Sequence, residues 1–254
     1  KNIMKKNTYW ILINFNNNDE IHKLISQYQK DLNFIIVDNS NNYESFNDEV
    51  VIIPAKNLGY LGGFKFALNN FNNFNKKIIF SNSDLEIIKG FKHIIKYNNK
   101  VESVFVPKII SPSGNQNPHI LNRKNKKYWI LRKVLSSNFI FWFIWSLFVS
   151  LKKKTKKIFN NNSNLIPQKI YAGHGSFYIF NNIDFSKFKS LNHNFLYAEE
   201  IHFAEYFNRN NIPILYNPRI VIHHNEHAST SKINNNFRRI LFNDSYKSIL
   251  TNYY

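Results

Sequence analysis

Apolar runs that break off into polar residues recur along the first half of this chain. Tyr9-Trp-Ile-Leu-Ile13 reads as a strand and ends at Asn14-Phe-Asn-Asn-Asn-Asp19. Ile21, Leu24, Ile25 and Tyr28 then recur at helical spacing, with Asn18 or Asp19 as the expected cap. Phe34-Ile-Ile-Val37 and Val50-Val-Ile-Ile53 read as the second and third strands. Strand, helix, strand and strand in this order predict a βαβ-like beginning and a mostly parallel sheet flanked by helices. The clearest run is Ile78-Ile-Phe80, which leads into Asn82, Asp84 and Glu86. A strand that is apolar on both faces is covered on both sides, and ligands bind past the carboxyl ends of such strands.

Further along, Gly59, Gly62 and Gly63 stand just before a helix expected over 64–71. Phe91, Ile94 and Ile95 make the apolar face of a helix over 91–97. Val104-Phe-Val-Pro-Lys-Ile-Ile110 reads as a strand whose Pro107 suggests an edge or an end. Phe177-Tyr-Ile-Phe180 is another strand, and Ile214-Leu-Tyr-Asn-Pro218 and Arg219-Ile-Val-Ile222 are two short pieces. Between 195 and 207 a loop enters a helix that carries Glu199 and Glu200 near its start, where negative charge is favoured. Residues 237–254 read as a peripheral helix.

The stretch 122–165 breaks this pattern. Arg123, Lys124, Lys126 and Lys127 lead into Phe139-Ile-Phe-Trp-Phe-Ile-Trp-Ser-Leu-Phe-Val149, and Lys152, Lys153, Lys154, Lys156 and Lys157 close it. The apolar run is too short for an ordinary spanning helix. It is either a buried helix between solvated lysines or an interfacial element with aromatic residues in a bilayer and lysines on anionic lipid. The lysines on both sides favour the second.

Composition narrows the chemistry. The 254 residues suffice for one large domain or two small ones. The absence of Cys excludes disulfides, thiolate zinc sites and cysteine nucleophiles, and fits a reducing compartment. A formal net charge of +18 favours anionic partners: acidic lipid, phosphorylated substrates or nucleic acid. No ordered nucleic-acid recognition motif accompanies it. The first residues show no apolar signal segment.

Against that charge the few acids stand out. Asp84 is placed to hold a divalent cation whose other ligands a nucleotide diphosphate supplies; it also suits a plain turn or helix cap. The glycines from 59 to 63 permit close backbone approach to a phosphate group, or only a tight turn. They match neither the dinucleotide fingerprint nor a P-loop. His174 lies between Gly173 and Gly175, where it can touch a substrate. His93, His119 and His193 read as surface or loop residues, as does His227.

Taken in order, four pieces resemble the family 2 glycosyltransferases of bacterial surface-polysaccharide synthesis, the rhamnosyl- and galactosyltransferases among them. These are Val37-Asp-Asn-Ser40, Asn57-Leu-Gly-Tyr-Leu-Gly-Gly63, Asn82-Ser-Asp84, and Tyr197-Ala-Glu-Glu-Ile201 with Val221-Ile-His-His224 to Ser229. The resemblance covers roughly residues 9–230 and is weakest over 122–165. It implies one GT-A domain over 1–254, an α/β fold with a mostly parallel sheet. It also implies inverting, metal-dependent transfer from a UDP-, dTDP- or GDP-sugar to a glycan or lipid-linked glycan acceptor. Asp38 would meet the nucleobase or ribose, with Asn14 and Asn16 lining the same pocket. Asn57, Gly62, Gly63 and Asn82 would lie along the donor. Asp84 would bind Mg²⁺ or Mn²⁺, with His223 or His224 at the metal or the diphosphate. Glu200 would be the base, with Glu199 as the alternative, and His174 and Gly175 would face the acceptor. The chain would sit in the cytoplasm, peripheral on the inner face of the plasma membrane, with no nucleic acid as partner. Many members carry Asp at the position of Glu200 and a further acid at that of His202; the histidine-to-Ser229 spacing is also slightly long.

Two other classes compete. A non-catalytic basic protein on anionic lipid or nucleic acid accounts for the charge but not for Asp84, Glu199 and Glu200. A nucleotidyltransferase would need a basic loop after the first strand, which is lacking.

Overall fold

The computed structural model describes residues 7–45, 49–54, 56–71, 77–96, 101–159, 166–186, 188, 195–225 and 234–254, without side chains over 150–159. Ser229, His193 and His227 fall outside the described residues. The strands are β1 (Thr8–Asn14), β2 (Asn33–Asp38), β3 (Val50–Ile52), β4 (Lys77–Ser81), β5 (Leu85–Lys89), β6 (Ser103–Ser111), β7 (Gly114–Asn115), β8 (Gln168–Ile170), β9 (Phe177–Asn181) and β10 (Ile214–His224). The helices are α1 (Asn18–Tyr28), α2 (Gly59–Asn70), α3 (Phe91–Lys96), α4 (Lys126–Ser137), α5 (Phe139–Phe159), α6 (Glu199–Arg209) and α7 (Asn235–Tyr253).

All the strands join one sheet in the order β3-β2-β1-β4-β9-β6-β10-β5, with β7 beside β6 and β8 beside β10. The expected parallel start is present: β3, β2, β1 and β4 run in one direction. The sheet as a whole is mixed rather than mostly parallel. Strand β9 enters antiparallel between β4 and β6, and β5 lies antiparallel on β10. Two apolar layers cover the two faces. One packs α2, α6 and α7, with Phe64, Phe80, Phe180, Phe188 and Phe203 stacked beneath them. The other packs α1 and α3 around Trp10, whose indole donates to Ser81 Oγ at 2.8 Å.

Several local expectations need correction. Asn17, not Asn18 or Asp19, precedes α1, and it makes no side-chain cap. Pro107 lies on an interior strand: pairing with β9 ends at Phe105, and β10 shifts register between Asn217 and Val221, so the missing N–H falls where the ladder is already interrupted. That bulge also carries the two pieces at 214–222 as one strand.

The apolar run at 139–149 belongs to a 21-residue helix, and it is not buried. Phe139, Ile140, Phe141, Phe143, Ile144, Leu147 and Phe148 are all at least half exposed. Among the described residues no helix is long and apolar enough to cross a membrane.

Candidate functional site

β1, β2 and β4 run parallel, and β6 and β10 run with them, so the last residues of all five meet along one edge of the sheet. Antiparallel β9 begins at that same edge, which brings the loop before it, residues 173–176, alongside. Most of the residues singled out from sequence lie here, in two adjoining groups.

The first group is built on Asp38, in register with Asn14 across β1 and β2. Asn14 Nδ2 donates to Asp38 Oδ1 at 2.9 Å, and the Ser40 amide and hydroxyl donate to the same oxygen at 3.1 and 2.7 Å. The Asn42 and Tyr43 amides donate to Oδ2 at 2.7 and 2.8 Å. Burial works against the charge, yet these donors hold the carboxyl below its ordinary value. Asp38 therefore shapes the 39–43 loop, the wall beside which a nucleobase or ribose was expected. Asn16, exposed with φ 60°, forms the outer wall: its amide donates to Ser40 Oγ and its Oδ1 accepts from Asn42.

Between the groups lies the start of α2. Asn57 Oδ1 accepts from the Gly59 amide at 2.9 Å, and Asn39 Nδ2 donates to the Gly59 carbonyl. Gly59 carries φ +70°, and a Cβ there would lie 1.8 Å from the Phe195 carbonyl oxygen, so only glycine fits. Gly62 and Gly63 were expected ahead of the helix with their backbone toward a ligand. They are instead buried inside it, and a Cβ on Gly63 would come 2.8 Å from Ile13 Cδ1. That glycine serves close packing of α2 on β1. Tyr60 closes the gap, its hydroxyl donating to the Gly175 carbonyl at 3.0 Å.

The second group runs from Asp84 to Glu200. His224 Nε2 lies 3.3 Å from Asp84 Oδ1 and 3.2 Å from Asn82 Nδ2. Its Nδ1 pairs with Gln116 Oε1 at 2.9 Å, which fixes the ring with Nε2 facing Asp84 and Asn82. His223 is the next residue on the same strand and so points to the other face, opposite Glu86 in the register. Of the two candidates, His224 is the one at Asp84.

The His174 ring is 6.0 Å from that of His224 and 5.4 Å from that of His119. His119 Nε2 in turn lies 3.6 Å from Glu200 Oε1. Gly175 lies against Glu200, whose Oε2 would be 4.0 Å from an added Cβ.

His119, read from sequence as a surface residue, is thus part of the site. The bridge between Ile120 and Ala172 fastens its loop to the 172–176 segment. Asn117 locks both sides, donating to the Pro107 carbonyl and accepting from the His174 amide. Nothing local in the sequence marks these contacts; only the pairing of two loops some fifty residues apart creates them.

The two acids at the start of α6 differ in state. Burial, then the charge of Glu200, pushes Glu199 up to about 8. For Glu200, burial is outweighed by His119, the helix amide and His174, which hold it below its ordinary value. The backbone just before them is unusual: Tyr197 and Ala198 are consecutive left-handed residues at φ 68° and 60°. Non-glycine residues hold that conformation only when surroundings enforce it. Here Glu199 Oε1 accepts from the Tyr197 amide and Ser245 Oγ donates to the Leu196 carbonyl.

Among the described residues no three His, Asp or Glu side chains gather as a metal cluster. The donor set still fits a hard divalent cation such as Mg²⁺ or Mn²⁺ that takes further oxygens from a ligand. Asp84 brings a carboxylate, and His224 an imidazole held by a second partner.

No protein-family model matches this chain, and no curated protein does either. The arrangement must be weighed on its own chemistry. An acid beside an imidazole suited to a cation stands at one end, and an ionised carboxylate held by a histidine stands at the other.

Proposed function

We propose that this chain is an inverting glycosyltransferase of GT-A type, moving a sugar from a nucleotide diphosphate to an acceptor hydroxyl. The observation that carries the reading is the separation of tasks along one sheet edge. Asp84 and Glu200 stand at the two ends of the row His224, His174, His119. Transfer with inversion asks for a charge-neutralising group at the leaving diphosphate and a base on the opposite side, at the acceptor.

Asp84 and His224 would hold the divalent cation, which when bound neutralises charge growing on the leaving diphosphate. The acceptor oxygen attacks the anomeric carbon as the bond from that carbon to the diphosphate oxygen breaks. The acceptor's proton passes to Glu200, and the electron pair of the broken bond leaves with the nucleoside diphosphate. Glu200 suits the base because it is ionised; Glu199, carrying its proton at neutral pH, does not. His119 positions Glu200 from the side, and His174 and Gly175 line the space in front of it. On the nucleoside side, Asn16 and the loop held by Asp38 make the wall, while the start of α2 approaches the phosphates through Asn57 and Gly59. The mixed sheet with one cluster of loops at its carboxyl edge is compatible with a GT-A domain.

Calorimetry with UDP-, dTDP- and GDP-sugars, in Mg²⁺ or Mn²⁺ and again with chelator, tests the reading. It expects one preferred donor whose binding weakens with chelator and in Asp84→Ala. Folded protein that binds none of them, with or without an acceptor glycan present, would sink it.

A further inference from the structure

We propose that the α4–α5 hairpin is a docking surface for an anionic lipid bilayer, lying in the headgroup region without crossing the membrane. Seven apolar residues of α5 between Phe139 and Phe148 are at least half exposed, and Ile130, Leu131 and Val134 of α4 extend the same surface. Water does not compensate so large an apolar area, and monomeric surfaces rarely carry one without a partner.

The exposure is not looseness. Asn125 caps α4, its Oδ1 accepting from the Tyr128 amide at 3.0 Å. Arg239 of α7 donates to the Ser136 and Ser137 carbonyls at the other end. Trp142 packs on Phe242 at 5.2 Å, and Arg132 lies over Trp145 and Tyr246 at 5.1 and 5.0 Å. One side of the hairpin is thus fastened to α7, and its apolar side is held outward.

Charge says what covers it. Between 122 and 159 the chain carries 11 Lys and Arg and neither Asp nor Glu. Lys124, Lys126 and Lys127 are exposed at one end of the hairpin, and the sequence sets five lysines at 152–157 beyond the apolar stretch. Acyl chains for the aromatic band and anionic headgroups for both basic ends match that order. A nucleic acid would use the lysines and leave the Phe and Ile residues in water. The uncharged stretch from 139 to 151 spans roughly 20 Å at helical rise, short of the ~30 Å hydrocarbon layer, so the helix lies in the interface.

The surface also adjoins the site through packed side chains. Trp142 touches Phe242, Phe242 stacks on Tyr197 at 4.2 Å, and the Tyr197 amide donates to Glu199. If the glycosyltransferase reading holds, a lipid-linked acceptor arriving from the bilayer would meet the protein near Glu200. The docking itself does not depend on that reading.

Sedimentation of the full chain with vesicles tests it, using phosphatidylcholine alone and phosphatidylcholine mixed with phosphatidylglycerol. Partitioning into the mixed vesicles should exceed that into phosphatidylcholine by about tenfold and fall as salt rises. Ile140→Glu/Ile144→Glu/Phe148→Glu should lower it by a further tenfold or so, with an unchanged melting temperature because all three side chains are exposed. Lys126→Glu/Lys127→Glu should weaken binding to the mixed vesicles alone. Equal, salt-insensitive binding to both vesicle types would overturn the anionic assignment. No vesicle binding, with the wild type dimerising in a way that the triple variant abolishes, would assign the surface to a second copy of the chain. Donor affinity, measured on the same triple variant, should not move. A loss of vesicle binding with donor binding intact therefore judges the surface alone.

Discussion

At the carboxyl edge of the sheet Asp38 is 1% exposed, Asp84 5% and His224 6%, while on α5 Ile140 is 64% exposed and Ile144 59%. One region buries polar and charged groups; the other leaves large apolar groups in water. Both run against the default sorting of residues, but only one is compensated within the fold. Asp38 has five hydrogen-bond donors, and Asp84 has His224 beside it. Buried charge persists where such partners exist. Among the described residues the exposed α5 band has no counterpart. The contrast teaches where to look for partners: on the readings proposed above, a small ligand at the site and a membrane surface at the hairpin.

The largest expected effects fall on the site. Asp84→Ala should lower sugar transfer by about three orders of magnitude or more, since it removes the carboxylate on which the cation depends. The fold should survive, because Asp84 is paired with His224 rather than with a core network. Full activity in the folded variant would remove Asp84 from the cation's role. Glu200→Gln should cost about 10²–10⁴-fold in transfer while sparing donor affinity. A matching loss of donor affinity would mean that Glu200 binds substrate instead of taking a proton.

The next effect separates the two neighbouring acids through pH. Glu199 binds its proton more tightly folded than unfolded, because its carboxyl is raised to about 8 from an ordinary 4.5. Its contribution to stability is whole below about 4.5 and is lost as pH climbs through about 8. Glu200 is held low, so its contribution is whole above its unfolded value and is lost on acidification. Glu199→Gln should therefore flatten the alkaline fall and stabilise the protein by about 2–4 kcal/mol at pH 9. Denaturant titrations of both proteins at pH 6 and pH 9 read this directly, and an equal gain at the two pH values would contradict it.

Much of the site's frame was legible in the sequence, because a strand end is a local event. The runs ending at Asn14, Asp38 and Ser81 break from apolar to polar within one or two residues, and parallel pairing aligns those breaks. What was not legible depends on partners distant in the chain. His119 and Glu200 are 81 positions apart and meet only because the loop before β9 is bridged to the 120 region. The loop-holding role of Asp38 was not legible because three of its five donors are backbone amides, which leave no trace in residue identity. Gly62 and Gly63 read as a loop because helix propensity disfavours glycine; contact with Ile13 overrides it, and the helix starts at Gly59. The flanking lysines already favoured an interfacial over a buried α5; what they could not give is which side faces outward, which is set among the described residues by its packing on α4 and α7.

The smallest expected effect is the sharpest test of that last point. Ile144→Ser shortens a branched apolar side chain to a small polar one, a change that costs about 2–4 kcal/mol where the site is packed. At 59% exposure there is little packing to lose, and the expected change is within about 0.5 kcal/mol. Trp142, two residues away and so on the opposite side of the helix where it meets Phe242, supplies the control: Trp142→Ser should destabilise by about 2 kcal/mol or more, since it strips the contact that fastens α5 to α7. The two substitutions sit on one helix and differ chiefly in the direction they face. Chemical denaturation without lipid should therefore separate them clearly. Similar losses at both positions would mean that the apolar band is covered in solution, and the contrast between a compensated site and an uncompensated surface would fail.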